Sequence, residues 1–151
     1  MMLVHFWHAG RASEIIHLTR ENVRGNYLVF DRLKGSDPCE QELVEHENPL
    51  LSERAAMIEL ARNTPYSEPL FKMHRSTYWR RIQRHARAAG VPEHLAMTTS
   101  LKHTLGTLMI ENTSINKVQR RMGHKKIDST AQYMKVQDSD VDSIVKSSVG
   151  F

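Results

Sequence analysis

"RRMGHKKIDSTAQYM", residues 120–134, is a basic run that breaks at Gly123-His124 and reaches a tyrosine nine residues after that histidine. Ahead of the break, Ser114 opens a segment with Ile115, Val118 and Met122 on one face, and Gly123 supplies a helix stop. A further helix is expected to contain Tyr133. Two short helices around a glycine, carrying Arg120, Arg121, Lys125 and Lys126, suit a helix-turn-helix that touches DNA. They equally suit a tyrosine presented for chemistry on a phosphate, and the rest of the chain has to decide.

The charge distribution points to a polyanion. Between Lys72 and Lys135 there are 13 Lys/Arg against 3 Asp/Glu, a net +10, while the remaining residues carry 8 against 14, a net −6. Within the basic part, "STYWRRIQRHARAAGVP" reads as a helix capped by Ser76, with Trp79, Ile82, Ala86 and Ala89 as its apolar stripe and Gly90 with Pro92 as its stop. Arg80, Arg84 and Arg87 lie on the other face as candidate DNA contacts. A merely solvated helix face is the competing use of such charge.

Composition bounds the rest. A chain of 151 residues, 40% hydrophobic and 25% charged, holds one compact domain, and no apolar run approaches the roughly 20 residues of a membrane span. The opening "MMLVHFWHAG" lacks the basic start of a signal peptide, and the lone Cys39 gives no disulfide framework, which fits a reducing cytoplasm.

Other segments read as mostly helical. Ala12 to Leu18 is a short helix with Arg11 just before it. Tyr27 to Leu33 and Glu40 to His46 form a hairpin that turns at "GSDP" and places Lys34 where strand meets turn. Asn48-Pro49 starts a helix with Leu51, Ala55 and Ile58 inward, and another runs from about Ser100 to Glu111 with Leu101, Leu105 and Leu108 inward. The fold class is therefore mainly α with a small antiparallel β-sheet, an α+β domain. The histidines offer no third ligand at a metal-site spacing, although His5 and His8 share a helix face, and there is no Gly-rich phosphate loop. No metal and no cofactor are expected.

What remains is a set of basic groups and a tyrosine. "AGRASE", "RLKGS", "SLKHTLGTLMIEN" and "MGHKKIDSTAQYM", in this order, resemble the catalytic domain of tyrosine recombinases, the phage integrase family, from about Leu3 to Val136. The resemblance implies that Arg11, Lys34, Thr99, Lys102, His124 and Tyr133 surround one scissile phosphate. In that scheme the Tyr133 oxygen attacks phosphorus and the 5′ oxygen leaves, while fixed cations and donors stabilise charge on the non-bridging oxygens. Arg11 can bind a phosphate bidentately, His124 can donate to a non-bridging oxygen, and Lys34 resembles the general acid. Tyrosine ordinarily titrates near pH 10, so Tyr133 is expected to draw on the surrounding cations for its reactivity. The phosphotyrosine stores the energy of the broken bond.

Two positions depart from the pattern. Where the family usually has His-x-x-Arg, this chain has "TSLK", so Thr99 replaces a histidine and Lys102 an arginine. Lysine keeps the charge but loses the planar fork, and threonine cannot take a proton near neutral pH. Each change alone could slow cleavage by about 10²-fold to 10³-fold, and Thr99→His is expected to raise the rate. His103 is not expected to substitute, because adjacent helix residues point about 100° apart. A catalytically weakened or inactive DNA-binding remnant is thus the alternative to an active recombinase, and a type IB topoisomerase-like enzyme is a third reading.

The family resemblance also shapes the domain reading. Arg11 stands close to the start of this sequence, so a single catalytic domain over residues 1–151 is expected, without the separate N-terminal domain that clamps the other side of the DNA. Binding to double-stranded DNA should then be weak and strongly salt-dependent. The tail from 138 to 151 carries Val141, Ile144, Val145 and Val149 as an apolar stripe. By resemblance it would dock on a neighbouring protomer within a tetrameric synapse on DNA, although docking on its own body is equally open.

Overall fold

The computed structural model describes residues 1–30 and 38–134. It opens with a helix that periodicity does not announce: α1, Met2–His8, has apolar residues on every side and no side-chain cap, and it buries Val4, His5 and His8. After Ala9 and Gly10 comes α2, Ala12–Ile16, with Arg11 in extended conformation at its N-cap. A 3₁₀ turn at Arg20–Asn22 leads into β1, Val23–Arg24, β2, Tyr27–Phe30, and β3, Cys39–Glu42. The three strands form an antiparallel sheet in sequence order, with Leu28 opposite Val23 on one side and Gln41 on the other. The expected antiparallel pairing is present between β2 and β3, β3 ends at Glu42 rather than His46, residues 31–37 lie outside the described residues, and β1 is an addition.

Asn48 caps a 3₁₀ turn at Pro49–Leu51, accepting from the Leu50 N–H, and α3, Arg54–Arg62, follows it as a separate helix. Its buried face is Met57 and Ala61, while Leu51 is 38% exposed, so the expected stripe through Leu51 and Ala55 is displaced. The break at Ser52 and Glu53 resets the helical phase and moves the inward face.

The long helices α4, Arg75–Ala88, and α5, Thr98–Ile110, carry the second half. His74 caps α4, in place of the expected Ser76. Tyr78 and Ile82 are its buried pair, and Trp79 is 44% exposed, contrary to the expected stripe. The cause lies far along the chain: the Tyr78 hydroxyl lies 2.8 Å from His5 Nδ1 on α1, and turning Tyr78 inward rotates its neighbour about 100° away. On α5 the buried positions are Lys102, Leu105 and Gly106, and Leu108 is exposed. The described residues close with α6, Ile115–Met122, ended by Gly123 at φ 65°, and α7, Asp128–Ala131. That left-handed conformation disfavours other residues, and it lets the Gly123 and His124 N–H groups reach carbonyls of the last helical turn.

Among the described residues, three apolar clusters hold these elements. Val4, Ile15, Leu18, Leu28, Leu43, Met57, Ala61 and Leu70 fill the space between the sheet and α1 to α3. Ala12, Tyr78 and Ile82 join α2 to α4. Ala9, Leu105, Val118, Met122 and Tyr133 join α1, α5, α6 and the segment after α7, so the candidate nucleophile is also a core residue. A polar tie crosses the first cluster. His8 Nε2 lies 2.7 Å from Glu53 Oε1 and His8 Nδ1 lies 3.0 Å from Gln41 Oε1, while the Gln41 amide donates to the Arg121 carbonyl at 3.1 Å. The sheet side and α6 are thereby fixed relative to each other.

Candidate active site

Tyr133 sits in the turn just beyond α7, its N–H donating to the Thr130 carbonyl, and so lies outside the helix expected to contain it. Its ring lies on α5: a Cβ built on Gly106 would stand 2.9 Å from Tyr133 Cζ, so only glycine admits the ring there. The His124 ring is nearly parallel to it, at 8° and 6.4 Å between centroids. The hydroxyl lies 2.9 Å from His103 Nδ1. Tyr133 is only 6% exposed, and this burial raises the pKa of its phenol. The expectation that surrounding cations activate it is therefore corrected, since desolvation dominates in this arrangement and favours the neutral phenol.

His103 also corrects the sequence expectation. The 100° offset from Lys102 is real, but it turns His103 toward the tyrosine. Thr99, His103 and Gly106 are spaced i, i+4, i+7 along one stripe of α5, and Tyr133 lies on that stripe. Lys102 points elsewhere. It is 8% exposed, and its Nζ donates to the Met122 carbonyl at 2.8 Å. Met122 closes α6, where unpaired carbonyls concentrate partial negative charge, so a lysine amine there is well placed. Through that bond Lys102 braces the Met122-Gly123-His124 turn. The next tie is His124 Nδ1, 3.0 Å from the hydroxyl of the fully buried Thr130 on α7.

Arg11 stands at the N-cap of α2. Its Nη1 donates to Glu14 Oε1 at 2.8 Å and its backbone N–H to Glu14 Oε2 at 2.6 Å, with Glu14 itself buried. One carboxylate thus caps the start of α2 and holds the guanidinium, which remains one-third exposed. Lys34 falls within residues 31–37, outside the described residues, as does the tail with Val141, Ile144, Val145 and Val149. Thr99 is exposed in the first turn of α5.

The candidate DNA contacts divide. Arg80, Arg84 and Arg87 are exposed on α4, and Arg120, Lys125 and Lys126 are exposed around the α6 terminus. Arg121 does not reach outward as expected: its Nε and Nη2 donate to the Trp7 carbonyl at 2.9 and 2.6 Å, because the end of α1 presents that carbonyl to α6. Arg120, Lys125 and His124 line a cleft of about 660 Å³ together with Pro38, Cys39 and Gln119. This cleft is basic, open to solvent and bounded by β3 and α6. Among the described residues no group of three His, Cys, Asp or Glu is arranged to hold a metal ion.

The model of the phage integrase family matches residues 1–140. The chain belongs to that family. Its sequence is 30% identical over 137 residues to the tyrosine recombinase XerD of Pseudomonas putida strain KT2440, covering 83% of this chain and 45% of that protein. Integrase-family structures share the fold. The XerH recombinase bound to its difH substrate superposes with a TM-score of 0.70 at 15% identity, over 95% of this chain and 44% of that one. The catalytic domain of bacteriophage HP1 integrase gives 0.65 at 18% identity, over 96% and 78%. This integrase-family chain thus spans about half the length of the XerD and XerH proteins that it matches.

Reading the sequence alone misses four parts of this integrase-family site. Glu14 was signalled by the Arg-x-x-Glu spacing around a helix start, which is that of a carboxylate reaching back to a cap. Gly106 and Thr130 had no local signal, because each is defined by contact with Tyr133 or His124. His103 is visible as a residue, but its offset from Lys102 gives no hint that the Tyr133 hydroxyl reaches it.

Proposed function

We propose that this chain cuts and rejoins duplex DNA through a covalent link between Tyr133 and a 3′ phosphate, the chemistry of site-specific recombination. The observation that carries the reading is the seating of Tyr133 between His103 and His124, next to a cleft lined by Arg120 and Lys125. In this mechanism Arg11, steadied by Glu14, and His124, steadied by Thr130, donate to the non-bridging oxygens of the scissile phosphate. Lys34 protonates the departing 5′ oxygen. Lys102 contributes charge from behind the Met122-Gly123-His124 turn and fixes its position. The covalent bond retains the energy of the phosphodiester, so the chemistry calls for no nucleotide or metal.

Tyr133 is only 6% exposed, so the surroundings of its hydroxyl have to open for the phenol oxygen to attack phosphorus in line while it stays against His103. Arg80, Arg84, Arg87, Arg120, Lys125 and Lys126 supply phosphate contacts along the duplex, and Arg121 serves as an internal brace. Further protomers assemble on the DNA, up to a tetrameric synapse, through the Val141, Ile144, Val145 and Val149 stripe docked in trans. The solved XerH relative is bound to its difH DNA substrate. Among the described residues no helix is long and apolar enough to cross a membrane, which is consistent with a protein acting on DNA in the cytoplasm.

The test is incubation with a library of nicked duplexes of randomised sequence, followed by denaturing electrophoresis. A DNA adduct that survives denaturation and disappears in Tyr133→Phe supports cleavage. The competing reading, which the family match does not favour, is binding without cleavage. That reading predicts salt-sensitive DNA binding that is indifferent to Tyr133→Phe, and no adduct.

A further inference from the structure

We propose that His103 accepts the phenolic proton of Tyr133 during strand cleavage, so that the imidazole missing at Thr99 is supplied one helical turn further along α5. This rests on the cleavage reading above and names the group that makes the tyrosine reactive. Three observations carry it. The Tyr133 hydroxyl lies 2.9 Å from His103 Nδ1, within the reach that direct proton transfer requires. Thr99 and His103 are four residues apart on one helix and share a face, so a base serving one side of the tyrosine can be moved by one turn and stay on that side. The other edge of His103 is exposed, on the wall of a groove between α4 and α5 that His85 also lines.

The proton balance runs as follows. A lone pair on the Tyr133 oxygen forms the bond to phosphorus while its proton passes to His103 Nδ1. The bond from phosphorus to the 5′ oxygen breaks, its electron pair stays on that oxygen, and the general acid protonates it. The imidazolium then releases its Nε2 proton to solvent through the groove. Religation reverses this: Nε2 regains a proton from solvent, the 5′ hydroxyl attacks phosphorus and gives its proton to the former general acid, and the tyrosine oxygen leaves and recovers a proton from Nδ1. For this to work the resting imidazole must carry its hydrogen on Nε2, with the phenol donating to Nδ1. Among the described residues, Nδ1 is the polar atom within hydrogen-bonding reach of that hydroxyl.

Several titratable groups surround the pair. Lys102 is the adjacent residue on α5, His124 faces the tyrosine ring from the α6–α7 turn and His85 lines the groove from α4, while His5 and His8 of α1 are engaged by Tyr78, Gln41 and Glu53.

The experiment has two arms on the full chain. In the DNA-free protein, two-bond ¹⁵N–¹H correlation identifies which His103 nitrogen bears hydrogen. Hydrogen on Nε2 with bare Nδ1 is expected, and hydrogen on Nδ1 would overturn the proposal, because the imidazole would then donate to the phenol. In the second arm, adduct formation on the randomised nicked duplexes is timed from pH 5 to 9. Wild type should rise across the range of imidazole titration and level off. His103→Gln keeps an acceptor for the hydroxyl but cannot take its proton, so it should be slower by about 10²-fold or more and lose that limb. Thr99→His added to His103→Gln should recover part of the rate and the limb. An unchanged rate and profile in His103→Gln would overturn the proposal while leaving the cleavage reading intact. Absence of any adduct in wild type would instead refute the cleavage reading, and this inference with it.

Discussion

The molecule contains the same pair twice, a buried tyrosine whose hydroxyl meets a histidine Nδ1, and the two copies do different things. Between α1 and α4, Tyr78 OH lies 2.8 Å from His5; between α5 and the turn after α7, Tyr133 OH lies 2.9 Å from His103. Burial raises the pKa of both phenols. The difference lies in the histidines. His5 is 1% exposed, and burial first of all, opposed by the Gly10 backbone and aided by Lys102, lowers its pKa to about 4. It cannot accept a proton near neutrality and serves as a hydrogen-bonding strut. His103 has an open edge, so a proton that reaches it can leave. Solvent access to the imidazole separates the structural pair from the chemical one.

The sharpest way to break this comparison is to remove each hydroxyl in turn. Tyr133→Phe should abolish the DNA adduct entirely with little change in the urea midpoint, since its oxygen meets an imidazole that water can also satisfy. Tyr78→Phe should do the reverse: it leaves His5 Nδ1 buried without its partner, at a cost of about 1–3 kcal/mol, and still permits the adduct. Equal behaviour of the two variants in both assays would remove the distinction.

The next effect is on stability. His5 has a lower pKa folded than its ordinary 6.5, so the folded state binds fewer protons than the unfolded state between those values. Its contribution is fully present above pH 6.5 and is lost as the pH falls toward about 4, amounting to on the order of 3 kcal/mol. Urea unfolding at pH 7 and pH 4.5 measures the loss, and His5→Leu should flatten it. A wild-type profile as flat as that of the variant would contradict the buried neutral strut.

A smaller effect should come from Gly106→Ala. The added methyl meets the Tyr133 ring at 2.9 Å, so the ring has to shift, with an overpacking cost of about 1–3 kcal/mol. The shift should expose the phenol and bring its titration back toward the ordinary value, read by ultraviolet absorbance of the phenolate. No change in either quantity would show that the ring is not seated on α5.

Features encoded within a few residues were legible before the structure. Gly123 as a stop, Arg11 at a helix start, the antiparallel pairing of β2 with β3 and the Asn48-Pro49 cap all follow from local backbone chemistry. Features decided by long-range partners were not. Tyr78 rather than Trp79 faces inward because of a histidine 73 positions away, and His103 faces the tyrosine because Gly106 leaves room for a ring that arrives 27 residues later. The helix α1 was hidden because its apolar residues surround it, so no periodic face stood out. The basic residues show the same limit: charge alone could not separate Arg121, anchored to the Trp7 carbonyl, from the exposed Arg120 beside it.

The most direct test of the account is to digest the denatured adduct with protease and nuclease and find, by mass spectrometry, the residue that retains a nucleotide. The account predicts a 3′-linked nucleotide on Tyr133 and on none of the other three tyrosines. A nucleotide on another residue, or no covalently linked peptide from a protein that binds the DNA, would contradict it.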